Sequence, residues 1–196
     1  ALAHASPARI LKAWSGMGYN RRALYLKKTA EIIIKKYHGE FPKSEAELVK
    51  LPGLGKYTAK AVMVFAYKMD VAMIDTNIRQ IITHFFFKDL PQKEKDIQLV
   101  ADALVPKGKS WEWHQALMDY GALELSNIVH KKLNVRKKDV VPFHQSNRFY
   151  RGKIIDLLRM KSWQEKKLID HMMSEYYKPR LDIIEIISGL IRDGLI

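Results

Sequence analysis

A short segment rich in small residues, Leu-Pro-Gly-Leu-Gly-Lys-Tyr-Thr at positions 51–58, directly precedes an apolar run with helical spacing. Glycine has no Cβ and can adopt a positive φ, so Gly53 and Gly55 allow a sharp turn and a close approach of the backbone to a ligand. The N–H groups of such a turn and of the following helix start form an anion site. Lys56 would add a positive charge, and the Thr58 hydroxyl would cap the helix or donate to a phosphate oxygen. The segment therefore predicts a phosphate-binding corner between two helices.

One carboxylate, Asp75, stands directly before the next segment of helical periodicity, Thr-Asn-Ile-Arg-Gln-Ile-Ile at positions 76–82. Asp is a common N-cap residue, so we expect its side chain to accept backbone N–H bonds from the helix that follows. A carboxylate fixed at the positive end of a helix can also stabilise a positive charge that develops on a reacting group. One side chain can hold both roles.

The composition indicates which class of protein must carry these residues. The chain has 196 residues, with 34 Lys and Arg against 21 Asp and Glu, and this net charge of +13 favours a polyanionic partner. Hydrophobic residues make up 47% of the chain, which is enough for a packed core. No apolar run approaches the roughly 20 residues of a membrane span, and nothing near the start resembles a signal peptide. With no Cys, the sequence predicts a cytoplasmic globular protein without disulfides.

Apolar positions recur at helical spacing along nearly the whole chain, and no long alternating strand pattern occurs. The predicted fold class is therefore all-α. Ser44 with Glu47, and Ser162 with Glu165, have the spacing of capping boxes, so each pair marks a helix start. In the first region we predict helices near 7–14, 21–37, 44–50, 58–68, 76–86, 93–104 and 111–124. The glycine-rich corner thus joins two helices as a helix, hairpin and helix.

A change of pattern divides the chain near residue 126. Charge clusters and Pro142 interrupt the periodicity from 126 to 149, which predicts a basic connector. A small C-terminal helical unit follows at 150–196, with predicted helices near 150–159, 163–176 and 181–193. The sequence leaves open whether this unit is a helix-turn-helix or winged-helix module, or a helical cap packed on the main domain.

Four motifs in the same order resemble the helix-hairpin-helix (HhH-GPD) DNA glycosylase superfamily, which includes endonuclease III and the MutY-type adenine glycosylases. They are WSGMGYNRRALYLKKTA at 14–30, LPGLGKYTA at 51–59, AMIDTNIRQII at 72–82 and HQALMDYGALEL at 114–125. The resemblance implies a helical glycosylase domain over residues 1–125. It also implies that the partner is double-stranded DNA with a mismatched or damaged base.

The resemblance implies roles for individual residues. The hairpin would contact the DNA backbone through Pro52, Gly53, Leu54, Gly55, Lys56 and Thr58. Asp75 matches the family's Asp in the pocket for the extruded base, where a fixed anion stabilises oxocarbenium character at C1′. Asn77 matches a neighbouring position that would support this site. Tyr19 matches the family's wedge, an aromatic side chain that enters the base stack beside the orphaned partner base.

The residue after Lys56 separates two chemistries in this superfamily. Bifunctional members carry a Lys at that position, whose amine attacks C1′ and forms a Schiff base. Tyr57 cannot form this adduct. A Tyr or Ser at the position is found in adenine glycosylases and in thymine-mismatch glycosylases, so the resemblance implies a monofunctional enzyme with Tyr57 beside Asp75 in the catalytic site.

The chain departs from the family pattern at the iron–sulfur loop. Leu125 occupies the first of the four Cys positions, and Lys131, Lys132, Arg136, Lys137 and Lys138 follow it. We therefore expect no 4Fe-4S cluster and no other cofactor, because a cluster needs thiolate ligands. The basic residues would replace the phosphate contacts of the loop or form a solvated face. Four of the seven histidines, His84, His114, His130 and His144, are too scattered to predict a metal site, and we expect them to be solvated or packed.

A second departure concerns the catalytic glutamate of adenine glycosylases, which precedes the GMGY loop in the family. Residues 1–13 contain no Glu. Because the sequence begins without Met and already in helical periodicity, we expect an N-terminally truncated fragment whose glutamate lies upstream. The alternative is that the chain is inactive as presented.

These matches imply a base-excision DNA repair glycosylase, expected to be a monomer, that removes adenine mispaired with guanine or 8-oxoguanine. Two alternatives stay open: a thymine or uracil mismatch glycosylase, and a non-catalytic helix-hairpin-helix DNA-binding protein. The C-terminal unit does not resemble the Nudix-like domain with which many adenine glycosylases recognise 8-oxoguanine, so the sequence does not predict partner-base specificity.

Overall fold

The computed structural model describes residues 1–125 and 141–196, and these residues form helices and turns with no strand. This confirms the all-α prediction. The α-helices of the described residues are α1 (Pro7–Ala13), α2 (Arg21–Tyr37), α3 (Glu45–Leu48), α4 (Lys56–Phe65), α5 (Thr76–Phe87), α6 (Glu94–Leu104), α7 (Ser110–Tyr120), α8 (Asn147–Met160), α9 (Glu165–Tyr176) and α10 (Arg180–Arg192). None of them is long and apolar enough to cross a membrane.

The described residues divide into two compact units, 1–40 with 141–196 and 41–125. In the first unit, α1 and α2 share one core with α8, α9 and α10. Its fully buried side chains include Ile154, Met172, Ile183 and Leu190. Burying an aliphatic side chain of this size stabilises a fold by roughly 1.5–3 kcal/mol, so this core holds the C-terminal helices against the first two.

These compact units differ from the predicted division into 1–125, 126–149 and 150–196, because residues 1–40 group with the C-terminal helices. The periodicity of α8–α10 predicted apolar faces but could not show that these faces contact Ile10, Leu11 and Leu24 of α1 and α2. Residues 141–196 contain helices only, without the strands of a wing.

The second unit contains α3–α7 around a core centred on α5. Its buried residues come from α4, α5, α6 and the segment before α5; they are Val64, Ala72, Met73, Ile74, Ile78, Ile82, Ile97 and Ala101. The predicted capping of α3 is confirmed, because Ser44 Oγ accepts the Glu47 N–H at 3.3 Å. After α7 the chain continues into one π turn, Gly121–Leu125, whose last residue is fully buried.

The predicted cap of α9 was wrong, and one of the two roles considered for Thr58, that of a helix cap, is excluded. Helix α9 begins at Glu165 after Gln164, and the side chain of Ser162 does not cap it. Helix α4 begins at Lys56 with Gly55 as its N-cap, so Thr58 lies inside the first turn and does not cap the helix. In both cases the helix start lies at a residue whose side chain makes no capping bond, so the pattern of capping side chains misplaced it.

The predicted basic connector falls largely outside the described residues. This applies to Lys131, Lys132, Arg136, Lys137 and Lys138, and also to His130. Its described part contains the 3₁₀ turn Phe143–Gln145, and α8 begins within it at Asn147.

Candidate functional site

Asp75 caps α5 as predicted, and both of its carboxylate oxygens have a donor. Oδ1 accepts the backbone N–H of Ile78 at 2.7 Å, and Oδ2 accepts the Asn77 side-chain amide at 3.3 Å. The residues just before Asp75, Met73 and Ile74, are buried in the core of the second unit. The carboxylate is therefore held in one place at the helix start.

A buried histidine fixes the segment that carries Asp75. His114 of α7 is fully buried, and its Nε2 accepts the backbone N–H of Met73 at 2.9 Å. Burial lowers the pKa of His114, although its bond to Ser110 and the nearby Asp75 charge act in the opposite direction. The neutral ring then donates from Nδ1 to the Ser110 carbonyl, which lies 2.6 Å away. This histidine links α7 to the segment that enters α5.

An open cleft of about 410 Å³ lies beside Asp75. Its lining residues are Tyr57, Ile74, Asp75, Thr76 and Arg79. The structure thus brings together the two predicted catalytic residues, Asp75 and Tyr57, from α5 and the first turn of α4. The Tyr57 side chain is 50% exposed, so it is available to a ligand in the cleft rather than buried as a core residue.

Arg79 is a cleft residue that the sequence analysis did not single out. It follows Asp75 by four residues on α5 and therefore lies on the same face of the helix. Its guanidinium forms an ion pair with Glu94 of α6. The sequence did contain a signal for this residue, because an Arg one helical turn after an N-cap Asp lies next to that Asp.

The predicted phosphate-binding corner joins α3 to α4. Gly53 has a φ of 79°, whereas Gly55 has a φ of −84° with an extended ψ, so only Gly53 uses the positive φ that glycine allows. The first N–H groups of α4, those of Lys56, Tyr57 and Thr58, precede the helical hydrogen-bond ladder. They are available to an external acceptor.

A groove of about 540 Å³ follows this hairpin. It is lined by Glu45, Ala46, Val49, Leu54, Gly55 and Lys56. Of the predicted contact residues, Gly53, Gly55 and Lys56 are exposed, while Pro52, Leu54 and Thr58 are half-buried. The exposed backbone at two glycines and the adjacent ammonium group give this corner the features of an anion site.

Tyr19, the predicted wedge, belongs to the first compact unit. It is 65% exposed and has a φ of 49°, which is uncommon for a residue with a Cβ. Asp75, Tyr57 and the hairpin residues belong to the second unit.

Comparison with known proteins identifies the family. A family profile described as HhH-GPD superfamily base excision DNA repair protein matches residues 1–107. The chain belongs to the HhH-GPD superfamily. The matched segment includes Tyr19, the hairpin and Asp75, and it ends before α7.

Two relatives illustrate the range of named activities within this superfamily. The adenine DNA glycosylase of Mycolicibacterium smegmatis is 40% identical over 124 residues, which are 62% of this chain and 42% of that protein. The thymine/uracil-DNA glycosylase of Methanothermobacter thermautotrophicus is 36% identical over 107 residues, 53% of this chain and 48% of that protein. The chain thus spans less than half the length of these two relatives.

Solved structures agree with this membership. A thermostable thymine-DNA glycosylase is similar with a TM-score of 0.58 and 33% identity, covering 62% of this chain and 58% of that one. An endonuclease III in a non-covalent DNA complex has a TM-score of 0.57 at 20% identity, covering 81% of this chain and 70% of that one, which shows the fold alone.

Proposed function

We propose that this chain is the catalytic part of a monofunctional base-excision DNA glycosylase, with adenine opposite guanine or 8-oxoguanine as its substrate. The observation that carries the proposal is the Asp75 carboxylate, held by Ile78 and Asn77 beside an open cleft. Membership in the HhH-GPD superfamily supports DNA as the partner. The net charge of +13 agrees with binding to a polyanion.

In the proposed reaction, the N-glycosidic bond breaks and its electron pair leaves with the base. The deoxyribose then carries oxocarbenium character at C1′, and the Asp75 carboxylate stabilises that positive charge. A water molecule adds to C1′, and the proton that it loses passes through solvent to the nitrogen of the departing base, which leaves an abasic site and the neutral base. Because Ile78 and Asn77 already hold both carboxylate oxygens, little reorganisation is needed when the charge develops.

The absence of a nucleophilic amine in the cleft supports hydrolysis without a strand-cleaving step. Among the described residues that line it, none is a lysine. A Schiff base requires a primary amine, which the phenol of Tyr57 and the guanidinium of Arg79 do not supply. Lys56, one residue before Tyr57, lines the hairpin groove instead.

The hairpin would hold the DNA backbone during this reaction. Its exposed N–H groups at the start of α4 and the Lys56 ammonium can bind one phosphate without reading the base sequence. Binding at this corner would position the duplex, and the cleft would receive the extruded base.

Thymine or uracil is the second candidate for the excised base. One relative at 36% identity is named a thymine/uracil-DNA glycosylase, and a solved thymine-DNA glycosylase is 33% identical. Adenine is favoured because relatives at 40% and 38% identity are named adenine DNA glycosylases.

Single-turnover base release tests the proposal. We expect the full-length protein to release adenine from duplexes with adenine opposite guanine or 8-oxoguanine faster than it releases thymine or uracil opposite guanine. Asp75→Asn should lower this rate by about 100-fold or more, because the amide can still cap α5 but cannot balance a cation. DNA affinity, measured by gel shift, should stay within a few-fold.

Three other outcomes have definite meanings. Preferred release of thymine or uracil would replace adenine by the second candidate. Binding by the full-length protein without release of any base would favour the non-catalytic DNA-binding alternative. An unchanged rate in Asp75→Asn would remove Asp75 from the mechanism.

A further inference from the structure

A second open cleft, of about 740 Å³, lies within the first compact unit, and we name it the Tyr19 cleft. One wall is the turn between α1 and α2. Other lining residues come from α8, from the 3₁₀ turn before it, and from positions 193 and 195. Its lining residues are Gly16, Met17, Gly18, Tyr19, Asn20, Arg21, Arg22, Phe143, Arg148, Arg151, Gly152, Ile155, Asp193 and Leu195.

The Tyr19 cleft is positively charged. Asp193 is its one carboxylate among the described lining residues, and both Arg21 and Arg151 form ion pairs with it. Neither Arg22 nor Arg148 forms an ion pair within the part of the chain that the structure describes. Two guanidinium groups therefore remain to attract an anion.

Both of these guanidinium groups lie close to the Tyr19 ring. The Arg148 Cζ is 4.1 Å from the Tyr19 ring centroid, and the Arg22 Cζ is 5.5 Å from it. Cation–π contacts of this kind orient a flexible arginine over an aromatic face. Arg148 comes from α8, so a residue far outside the family-matched segment 1–107 contacts the predicted wedge.

The turn that carries Tyr19 is held in an unfavourable conformation. Tyr19 has a φ of 49°, although it has a Cβ, and it follows Gly18 with a φ of 63°. Trp14 Nε1 donates to the Gly18 carbonyl at 2.9 Å, and Arg22 donates to the Met17 carbonyl at 3.2 Å. Such a conformation persists only where the surroundings over-determine it, and residues of this kind cluster at binding sites.

A second exposed aromatic side chain lies in the same cleft. Phe143 is 64% exposed, and its ring contacts Phe149 of α8 edge to face at a centroid distance of 5.8 Å. Exposed aromatic rings next to unpaired arginines are the combination that binds unstacked nucleotides, with bases on the rings and phosphates on the cations.

We propose that Arg148 and Phe143 form a DNA-binding site together with Tyr19 in this cleft, and that the site holds an unstacked stretch of one strand. Arg148 binds a backbone phosphate of that strand, and Phe143 provides a stacking surface beside Tyr19. The C-terminal helices thereby contribute directly to DNA recognition. The inference rests on the proposed function, since it places a second contact on the same duplex.

Fluorescence anisotropy over a range of salt concentrations tests the site. The probe is a duplex with 2-aminopurine opposite an abasic-site analogue. Arg148→Ala should weaken binding several-fold and lower the log–log salt slope by about one, as expected for one lost phosphate contact. Arg148→Lys should restore the slope, because it keeps the charge. Arg180→Ala is the matched control: Arg180 lies in α10, pairs with Asp170 and is outside the Tyr19 cleft, so the slope should not change.

The variant Phe143→Leu distinguishes the contribution of base stacking from that of charge, because it removes the aromatic ring and leaves the net charge unchanged. We expect it to reduce the change in 2-aminopurine fluorescence on binding while the salt slope stays that of the wild type. Circular dichroism on each variant verifies the fold, and Arg148→Gln replaces Arg148→Ala if the latter unfolds.

The outcomes separate this inference from the proposed function. If Arg148→Ala or Arg148→Gln binds with the wild-type slope while Lys56→Ala weakens binding, the Tyr19 cleft is not a DNA site and the proposed function stands. Equal losses in Arg148→Ala and Arg180→Ala would also overturn the inference, since they would reflect net charge alone. If the wild-type chain neither binds DNA nor releases a base, both proposals fall.

Discussion

Gly121 lies directly against Asn77: a Cβ added to Gly121 would be 2.6 Å from the Asn77 Cβ and 3.2 Å from its Cα. Asn77 donates to Asp75, so this glycine at the start of the π turn Gly121–Leu125 sets the position of the residue that supports the carboxylate. Only a residue without a Cβ fits here. Single π turns occur frequently at functional sites, and this one adjoins the proposed catalytic residue.

Gly121→Ala should therefore slow base release more than it weakens DNA binding. The clash involves Asn77 atoms close to the backbone, which cannot move aside as a side-chain tip can. Overpacking of this kind costs typically about 1–3 kcal/mol, and a small displacement of a catalytic group can cost on the order of 100-fold in rate. We expect a single-turnover rate at least about tenfold lower, with DNA affinity within a few-fold by gel shift.

A double-mutant cycle checks that the effect runs through Asn77. Asn77→Ala removes the bond to Asp75 Oδ2, so it should slow base release by itself. Adding Gly121→Ala to this variant should then lower the free energy of unfolding but reduce the rate little further. If the rate loss of the double variant is the product of the losses of the two single variants, Gly121 does not act through Asn77.

The buried imidazole of His114 makes stability depend on pH. Burial lowers its folded-state pKa below the unfolded value of about 6.5, so between these two values the unfolded chain binds more protons. The free energy of unfolding should be independent of this group above about pH 6.5 and should fall on acidification, by at most about 1.4 kcal/mol per pH unit.

Urea unfolding at several pH values between 5 and 8 measures this effect against His114→Gln. The Gln side chain can accept from Met73 and donate to Ser110, yet it does not titrate. The difference in free energy of unfolding between the two proteins should shrink or reverse as the pH falls below 6.5. A difference that does not vary with pH would show that His114 is not the titrating group.

Local chemistry predicted the parts of the structure that short segments determine. Asp75 and Ser44 cap their helices as expected, because an N-cap bond needs only residues three apart in the chain. The helix-hairpin-helix corner followed from the glycines between two periodic segments. The cleft that joins Asp75 to Tyr57 was implied by the family resemblance, because no local pattern relates residues 18 positions apart.

Features that depend on tertiary contacts were beyond the sequence. Nothing local indicates that Gly121 lies against Asn77 or that Arg148 covers Tyr19, since these pairs are 44 and 129 positions apart. The sequence left open whether α8–α10 pack on the rest of the chain, and it could not identify α1 and α2 as the helices that share their core. Apolar periodicity identifies the face of a helix that is buried but does not identify the helix that buries it.

Treatment with borohydride should not trap this protein on abasic DNA. The cleft beside Asp75 has no lysine among its described lining residues, so no imine can form there. Tyr57→Lys would place an amine in the cleft and should produce a trapped band on a denaturing gel. If the wild type is trapped and Lys56→Ala abolishes the band, Lys56 is a nucleophile and the assignment of the hairpin groove is wrong.

The two glycines of the hairpin differ in a way that allows their roles to be separated. Gly53 has a φ of 79°, which an alanine rarely adopts. Gly55 has a φ of −84°, and a Cβ added there would meet nothing within 4 Å. An alanine at 53 therefore strains the turn, whereas an alanine at 55 changes only the surface that a phosphate would approach.

Gly55→Ala should accordingly weaken binding to matched and mismatched duplexes equally, while the domain stays folded. Alanine is a poorer N-cap than glycine, but the cost of this is under about 1 kcal/mol, and phosphate contacts do not read sequence. Lys56→Ala should weaken binding to both duplexes equally and lower the slope of log affinity against log salt concentration by about one. Gly53→Ala should reduce the melting temperature more than Gly55→Ala does, because alanine rarely adopts the positive φ of Gly53. Anisotropy titrations on paired duplexes at several salt concentrations, with circular dichroism for folding, measure all three variants. Wild-type affinity in a folded Gly55→Ala protein would mean that this corner is only a turn between α3 and α4, because the added Cβ would then obstruct no bound phosphate.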